Sequence, residues 1–279
     1  IGWYFESKKI ASANDVNAEY KKKKGQVVPK DDVKPAKFDT LRRSFGDAFT
    51  GVELPDACAN PASVLVGDFL FSRSFELMVE DGSLKVLKIL SNASAVIAEG
   101  EVNQLTAQRQ VNTGEDKYLD IIGAKTAALF AAACRISAVV AERDEATEEA
   151  LDSYGRNLGI AFQLVDDAID YASDAETMGK GVGDDFRDGK VTLPVILAHA
   201  RGSAEDRAFW QAAMEGRRIS DEDLSYAKTL LAQTRAIDDT LMRARHYGQR
   251  AIDALGPFAS SAAKSALIEA VEFAIARAY

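Results

Sequence analysis

The sequence has few of the residues that build disulfide-rich or turn-rich proteins. Its 279 residues include 2 cysteines, 6 prolines and 19 glycines. The two cysteines, Cys58 and Cys134, form neither a disulfide framework nor a zinc-binding pattern. So few prolines and glycines exclude collagen-like chains and argue against an all-β sandwich, which needs many tight turns. A reducing, cytoplasmic compartment fits this cysteine usage, and we expect Cys134 to be a buried free thiol.

Basic residues are scarce relative to acidic ones. The chain has 34 Lys and Arg against 43 Asp and Glu, which gives a formal net charge of −9. Because non-specific nucleic-acid binding needs a basic face, we expect no nucleic-acid partner. An anionic small substrate stays compatible with this charge, since a bound metal ion can supply positive charge locally. No run of about 18 consecutive apolar residues occurs, so we also expect no transmembrane segment.

The first 60 residues differ in pattern from the remainder of the chain. Residues 1–60 hold four consecutive lysines, three of the 6 prolines and little apolar periodicity, which is typical of loops with one short helix. From residue 62 onward, apolar residues recur at helical spacing almost throughout, without the alternation of βαβ units. Hydrophobic residues make up 47% of the sequence, enough for a large core. We therefore predict a single all-α domain over residues 1–279.

The most informative pattern is an acidic helix face at residues 162–170. Four polar side chains share one face of a helix with about 3.6 residues per turn. They are Gln163, Asp166, Asp167 and Asp170. Carboxylates on neighbouring turns repel each other, and clustered hard oxygens suit Mg²⁺, so the pattern favours a bound cation. The alternative is a solvated acidic face without a ligand.

A block rich in glycine and lysine follows at residues 179–190. Its glycines allow the backbone to approach an anion closely, and Lys180 and Lys190 can neutralise phosphate oxygens. The pair Asp184-Asp185 lies between the two lysines. The P-loop pattern G-x-x-x-x-G-K-[ST] is absent. Together with the acidic helix, the block predicts a metal–diphosphate site.

These segments resemble a known family. FQLVDDAIDY and GKGVGDDFRDGKVTLP are similar to the second aspartate-rich motif of trans-type (E-type) polyprenyl diphosphate synthases. Three further blocks agree in order and spacing: ASVLVGDFLFSRSFELM, AEGEVNQL and AKTAALFAAAC. The resemblance covers residues 61–279 and is closest to the octaprenyl and decaprenyl branch, which makes quinone side chains. It implies the isoprenoid synthase fold, a single large helical bundle around a deep central cavity.

The resemblance also implies roles for individual residues. Asp166, Asp167 and Asp170 would bind Mg²⁺, with two or three ions in each active site. Other matched residues would contact the diphosphate or the charge that develops on it during the reaction. These are Lys125, Thr126, Gln163, Lys180 and Lys190.

The N-terminal part departs from the family pattern. The family's first motif reads D-D-x-x-D and is followed by Arg-Arg-Gly, whereas residues 31–35 end in proline and residues 42–44 end in serine. The upstream Gly-Lys-x-x-Arg-Pro block is absent. Partial matches assign metal or substrate binding to Asp31, Asp32, Arg42 and Arg43. Either the protein is divergent or impaired, or the sequence omits or misplaces N-terminal segments. We favour the second because residues 61–279 keep the pattern.

The implied reaction is Mg²⁺-dependent condensation of isopentenyl diphosphate with an allylic diphosphate, by a homodimer. Four other functions remain open, and the least specific of them is a generic acidic helical scaffold. A terpene cyclase would show N-D-x-x-[ST]-x-x-x-E, which we do not find. A non-catalytic or regulatory subunit of a heteromeric synthase would explain the unusual N-terminal part. A shorter-chain geranylgeranyl or farnesyl synthase would keep the same site with a shallower pocket.

Overall fold

The computed structural model describes residues 59–172, 183–216 and 219–277, with side chains from residue 65 onward. In these ranges the chain forms helices and no strands, as the predicted all-α class requires. The chain divides into two compact units, Ile1–Ser83 and Leu84–Tyr279. A single domain over residues 1–279 therefore stays a prediction.

Helices account for nearly all of the described residues. In the first unit, α1 spans Ala59–Asp81 and ends before Gly82, which has a φ of 78°. The helices of the second unit are α2 (Leu84–Ala107), α3 (Glu115–Ile122), α4 (Ala128–Val140), α5 (Glu145–Ala172), α6 (Asp184–Asp188), α7 (Leu193–Arg201), α8 (Ala204–Met214), α9 (Asp221–Gln233), α10 (Ala236–Ala254) and α11 (Ala262–Ala276). A five-residue π-helical turn, Gly123–Ala127, joins α3 to α4.

The long helix α5 forms the centre of the second unit and packs against α4 and α10. The sequence places apolar residues on the face of α5 opposite Gln163 and the aspartates, and this face is buried, with Ala161, Val165 and Ile169 at most 5% exposed. Burial of this face and of the helices around it supplies most of the folding free energy of such a bundle. The opposite face of α5 carries the polar residues of the predicted site.

A glycine allows α5 to lie unusually close to the π-turn. A Cβ atom added at Gly159 would lie 2.7 Å from Cα of Ala127, closer than real Cβ contacts allow. The two backbones can meet at this distance only because residue 159 has no side chain. The close approach brings the π-turn next to the polar face of α5.

Two predicted helical stretches are interrupted in the structure. The sequence predicts one helix over 118–140, but the π-turn divides it. The sequence also predicts a continuous helical stretch over 220–256, but the chain breaks between α9 and α10, where Arg235 adopts a left-handed conformation with a φ of 53°. Pro194 lies in the first turn of α7, where a helix tolerates proline.

One helical stretch of the described residues meets the length and composition criteria for a membrane span. It is Glu115–Val140, whose most apolar window is 44% buried within the protein. Core helices meet the same criteria, and this stretch packs against α2 and α5. It is therefore only weak support for a membrane span.

Candidate active site

The predicted acidic face is present on the C-terminal half of α5, but its three carboxylates have different surroundings. Asp167 is buried, with 4% of its surface exposed. The side chain of Asp166 is 47% exposed and lies 3.4 Å from Nη2 of Arg277. Asp170 is partly buried and accepts a 3.2 Å hydrogen bond from the backbone N–H of Asp185. The helix therefore presents one enclosed and two more accessible carboxylates.

Both oxygens of Asp167 accept hydrogen bonds from protein side chains. The hydroxyl of Tyr118 on α3 donates to Oδ2 at 2.6 Å. The side-chain amide of Gln163, one turn earlier on α5, donates to Oδ1 at 2.8 Å. The hydroxyl of Thr126 in the π-turn donates in turn to Oε1 of Gln163 at 2.8 Å. The structure thus joins three residues predicted for the site (Thr126, Gln163 and Asp167) and adds Tyr118, which the sequence did not reveal.

Carboxylate crowding changes the acidity of this region. Burial raises the pKa of Asp167 to about 7, repulsion from Asp185 adds to the effect, and the hydrogen bonds from Tyr118 and Gln163 oppose it. Burial and then the carboxylate of Asp185 raise the pKa of Asp170 to about 6. A nearby cation would relieve this repulsion and stabilise the ionised carboxylates.

The described part of the glycine–lysine block, residues 183–190, folds back onto the end of α5. The backbone N–H of Gly183 donates to the carbonyl of Asp170 at 2.9 Å. Gly183 and Gly189 flank α6 with φ values of 79° and 73°, a left-handed conformation that glycine adopts at little cost. These turns place Asp185 beside the acidic face of α5.

Lys190 provides positive charge next to the carboxylates. Its Nζ lies 2.8 Å from Oδ1 of Asp185 and 3.1 Å from Oδ2 of Asp188. Burial disfavours the charged ammonium, but the hydrogen bonds and charges of Asp185 and Asp188 together outweigh burial and raise the pKa of Lys190 above its usual value. The lysine is therefore a permanent cation at the edge of the site.

Residues at the end of α2 hold this block in place. The side chains of Gln108 and Arg109 both donate to the carbonyl of Asp188, at 2.6 and 3.3 Å, and the backbone N–H of Arg109 donates to the carbonyl of Gly189 at 2.9 Å. Arg109 itself has a φ of 67°, a conformation in which few non-glycine residues are found. No sequence pattern pointed to either residue.

Lys125 lies in the π-turn and faces α2. Its Nζ donates to Oε1 of Gln104 at 2.7 Å, and Oε1 of Glu101 lies 3.1 Å away. Both partners belong to the AEGEVNQL block that the sequence analysis singled out. A Cβ atom at Gly100 would lie 2.7 Å from the backbone nitrogen of Lys125, so α2 and the π-turn are in close contact. Single π-turns inside helices occur frequently at functional sites.

The C-terminal end of the described chain also reaches the acidic helix. The guanidinium of Arg277 lies 4.5 Å from the ring centroid of Phe162, a cation–π distance, and it pairs with Asp166 as described above. The ending FAIARAY also resembles the tail of the family, but this resemblance assigns no role to Arg277.

Several predicted site residues lie outside the described ranges. They are Asp31, Asp32, Arg42, Arg43 and Lys180. Their metal-binding and substrate-binding roles stay predictions. Cys58 also lies outside these ranges, while Cys134 is a free thiol that is partly rather than fully buried.

A metal ion fits the chemistry of the site, although the carboxylates do not close around one point. Among the described residues, no group of three His, Cys, Asp or Glu side chains is placed to hold a metal ion by itself. The carboxylate oxygens of α5 and Asp185 are the hard donors that Mg²⁺ prefers, and their mutual repulsion favours a cation between them. Magnesium usually takes only one or two protein carboxylates, with water and substrate phosphate completing its coordination.

The fold and these residues define a helical protein of the isoprenoid synthase class. Comparison with known proteins identifies the family. Residues 41–231 match the polyprenyl synthetase family, and the chain belongs to it. Octaprenyl diphosphate synthase of Haemophilus influenzae is 41% identical over 222 residues, which cover 79% of this chain and 67% of that protein. The predicted family and prenyltransferase class are confirmed.

Solved structures give the same result. A polyprenyl synthase from Caulobacter crescentus, complexed with calcium and isoprenyl diphosphate, is 50% identical with a TM-score of 0.75 and covers 78% of this chain and 66% of that one. A decaprenyl diphosphate synthase from Rhodobacter capsulatus is 42% identical with a TM-score of 0.75. It covers 80% of this chain and 69% of that one. These structures confirm the predicted fold class. The chain spans about two thirds of the length of these relatives.

Proposed function

We propose that the protein is a long-chain trans-polyprenyl diphosphate synthase that adds isopentenyl diphosphate to an allylic diphosphate. The observation that carries this proposal is the meeting of Thr126, Gln163 and Asp167 with the Asp185–Lys190 block at one end of α5. Relatives that make octaprenyl and decaprenyl diphosphates support the long-chain branch.

The chemistry requires a pyrophosphate group to leave the allylic substrate. The allylic C–O bond breaks and releases pyrophosphate, and the double bond of isopentenyl diphosphate attacks the resulting cation. Loss of a proton to the released pyrophosphate leaves an allylic product five carbons longer. Bound Mg²⁺ would supply positive charge to the departing pyrophosphate. Asp166, Asp167 and Asp170 would hold two or three such ions, and the calcium in the Caulobacter crescentus complex supports a divalent cation in this family.

The basic residues would bind the diphosphate oxygens. Lys190 is charged and held beside the acidic face by Asp185, so it would neutralise phosphate oxygens from the edge of the site. Lys125 would exchange its contacts with Glu101 and Gln104 for a phosphate oxygen. Lys180 would contribute similarly. Thr126 would orient a phosphate or a developing charge beside Gln163.

Three finer statements belong to the same proposal. The product would supply the isoprenoid side chain of a quinone. The enzyme would act in the cytoplasm. It would act as a homodimer, as the resemblance to its family implies.

An enzyme assay on the full chain tests the proposal. Purified protein is incubated with an allylic diphosphate, labelled isopentenyl diphosphate and Mg²⁺, and label in apolar product is counted. We expect Asp170→Asn to reduce elongation by about a hundredfold or more, the scale of losing one electrostatic group at a transition state. The matched control is Asp152→Asn on the same helix, whose side chain pairs only with Arg156 one turn away among the described residues.

The alternative function is that of a non-catalytic subunit, favoured by the unusual sequence at residues 31–35 and 42–44. Elongation by the wild type and by Asp152→Asn, with loss in Asp170→Asn, would support catalysis. A wild type that binds pyrophosphate with Mg²⁺ but incorporates no label would contradict it and support the subunit.

A further inference from the structure

We propose that Tyr118 is a positioning residue that fixes Asp167 and, through Gln163, the π-turn residue Thr126. The inference rests on the proposed function, because it concerns how the same site is held for metal and diphosphate. Neither the acidic motif nor the glycine–lysine block contains Tyr118, which lies 49 residues before Asp167.

The hydrogen bond between Tyr118 and Asp167 is enclosed and well defined. Both residues are 4% exposed, and the O–H to Oδ2 distance is 2.6 Å, within the range of a hydrogen bond to a charged acceptor. The other oxygen of Asp167, Oδ1, accepts a hydrogen bond from the side-chain amide of Gln163. Removing the hydroxyl of Tyr118 would therefore leave Oδ2 of a buried carboxylate without its donor, which is costly.

These hydrogen bonds link three separate elements, the π-turn, α5 and α3. Thr126 of the π-turn donates to Gln163, and Gln163 on α5 donates to Asp167. Tyr118 on α3 donates to the same carboxylate from the other side. Asp167 is thus the shared acceptor at which the two branches end. Carboxylates that bind metal ions depend on such outer hydrogen bonds for their orientation.

Tyr118 is itself anchored. The carboxylate of Glu115, one turn earlier on α3, pairs with Arg243 on α10, with Nη2 lying 3.0 Å from Oε2. This second contact fixes the start of α3 against the bundle. The hydroxyl of Tyr118 is therefore presented to Asp167 by a helix that is itself tied to α10.

The test compares Tyr118→Phe with Tyr154→Phe in the full chain. Tyr154 is a matched control because it lies on α5, is 1% exposed and donates its hydroxyl hydrogen to the carbonyl of Leu267 at 2.8 Å, without contacting the acidic residues. Binding of Mn²⁺ in the presence of inorganic pyrophosphate is followed by electron paramagnetic resonance. We expect Tyr118→Phe to weaken Mn²⁺ binding by about 10-fold or more, the usual effect of losing an outer partner of a metal ligand. Tyr154→Phe should match the wild type.

Kinetics separate positioning from a general loss of structure. In Tyr118→Phe the Mg²⁺ concentration for half-maximal elongation should rise by a similar factor, while KM for isopentenyl diphosphate stays near the wild-type value. Combining Tyr118→Phe with Thr126→Val should lower kcat/KM by less than the product of the single effects, since both act on one network. A multiplicative double variant, or Mn²⁺ binding unchanged in Tyr118→Phe, would overturn the inference.

A labelled tyrosine covers the case in which Tyr118→Phe does not fold. With 3-fluorotyrosine at position 118, the fluorine resonance should shift when Mg²⁺ and pyrophosphate are added, and the same label at position 154 should not respond. A silent resonance at position 118 would overturn the inference. If the wild type elongates substrate but the Tyr118 variants behave like the wild type, only the role of Tyr118 is wrong. If the wild type binds no Mn²⁺, the metal site itself is wrong, and this inference is wrong with it.

Discussion

At the scale of single residues, surroundings rather than residue type decide the charge that a side chain carries. Asp166 is half exposed and faces Arg277, whereas Asp167 on the next position is enclosed and faces further carboxylates. Burial of an ionised carboxylate is costly unless a cation or hydrogen bonds compensate for it. Burial, followed by repulsion from Asp185, therefore explains the raised pKa of Asp167, and the same repulsion between carboxylates favours a metal ion at the site.

The thiol of Cys134 should react slowly in the native protein. Burial, with a smaller contribution from Asp152, raises its pKa to about 11. Only the thiolate is nucleophilic, so little of it is available near pH 8. In a Cys58→Ser background, we expect iodoacetamide labelling of the native protein at pH 8 to be far slower than labelling in denaturant, and to accelerate only as the pH approaches 11. Equal rates in the two states would show that Cys134 is accessible and ionises normally.

At the scale of elements, the site depends on how closely α5, α2 and the π-turn approach one another. Glycines at 100 and 159 permit these contacts, as the positions of added Cβ atoms show. Helices that meet at a glycine have their backbones in direct contact, which restricts the distances between the functional side chains they carry. The π-turn then presents Thr126 to Gln163 and Lys125 to α2.

Replacing Gly159 by alanine should separate α5 from the π-turn. The new Cβ would lie 2.7 Å from Cα of Ala127, which is backbone and cannot move aside cheaply. We expect Gly159→Ala to lower the free energy of unfolding by about 1–3 kcal/mol, the range for overpacking a core. Chemical denaturation provides the measurement.

The control for this prediction is Gly123→Ala. Residue 123 has helical φ and ψ angles of −60° and −45°, and a Cβ there meets nothing within 4 Å. Alanine should leave stability unchanged or raise it by up to about 1 kcal/mol. If both variants were equally stable, the close approach of α5 and the π-turn would be contradicted.

Helical periodicity was sufficient to predict the elements that carry the site, because it depends only on local spacing. The apolar face of α5 was predicted from residues such as Val165 and Ile169, and both are buried. The π-turn and the break at Arg235 were not predicted, since each occurs within a sequence that is otherwise helical in pattern. Tertiary contacts, rather than the local sequence, determine where such irregular turns form.

The site was predicted only in part for a related reason. Spacing along one helix placed Gln163 and the aspartates on a common face, and the family resemblance added Thr126 and Lys125. The contacts of Tyr118, Arg109 and Arg277 join residues far apart in the sequence, and no local pattern contains that information. The structure shows where Lys125, Thr126, Gln163, Lys190 and the aspartates of α5 lie, but the catalytic and binding roles of all the predicted site residues stay predictions.

At the scale of the whole molecule, the acidic site should reduce the stability of the metal-free protein. The pKa of Asp167 is about 7 in the native state, against 3.8 for the ordinary carboxyl. The native state therefore binds its proton more tightly than the unfolded state does. The resulting stabilisation is present below about pH 4 and is lost as the pH rises to about 7.

A comparison with Asp167→Asn isolates this contribution. In the presence of a chelator, the Tm of the wild type minus the Tm of Asp167→Asn should fall as the pH is raised across a range of about three units, from about 4.5 to about 7.5. This range includes the raised pKa of Asp167. Adding Mg²⁺ and pyrophosphate should reverse the trend, because a bound cation stabilises the ionised carboxylate. A difference that increases with pH in the chelated protein would contradict the raised pKa.

The central claim is that the end of α5 and the block beside it make this protein a prenyl synthase, and that its product is long, like those of its octaprenyl and decaprenyl relatives. The most direct measurement is the chain length of the product made by the purified full chain from farnesyl diphosphate, isopentenyl diphosphate and Mg²⁺, determined by chromatography against polyprenol standards. We predict a dominant product of octaprenyl length or longer. Release of geranylgeranyl diphosphate as the final product, or no incorporation of isopentenyl units, would contradict the account.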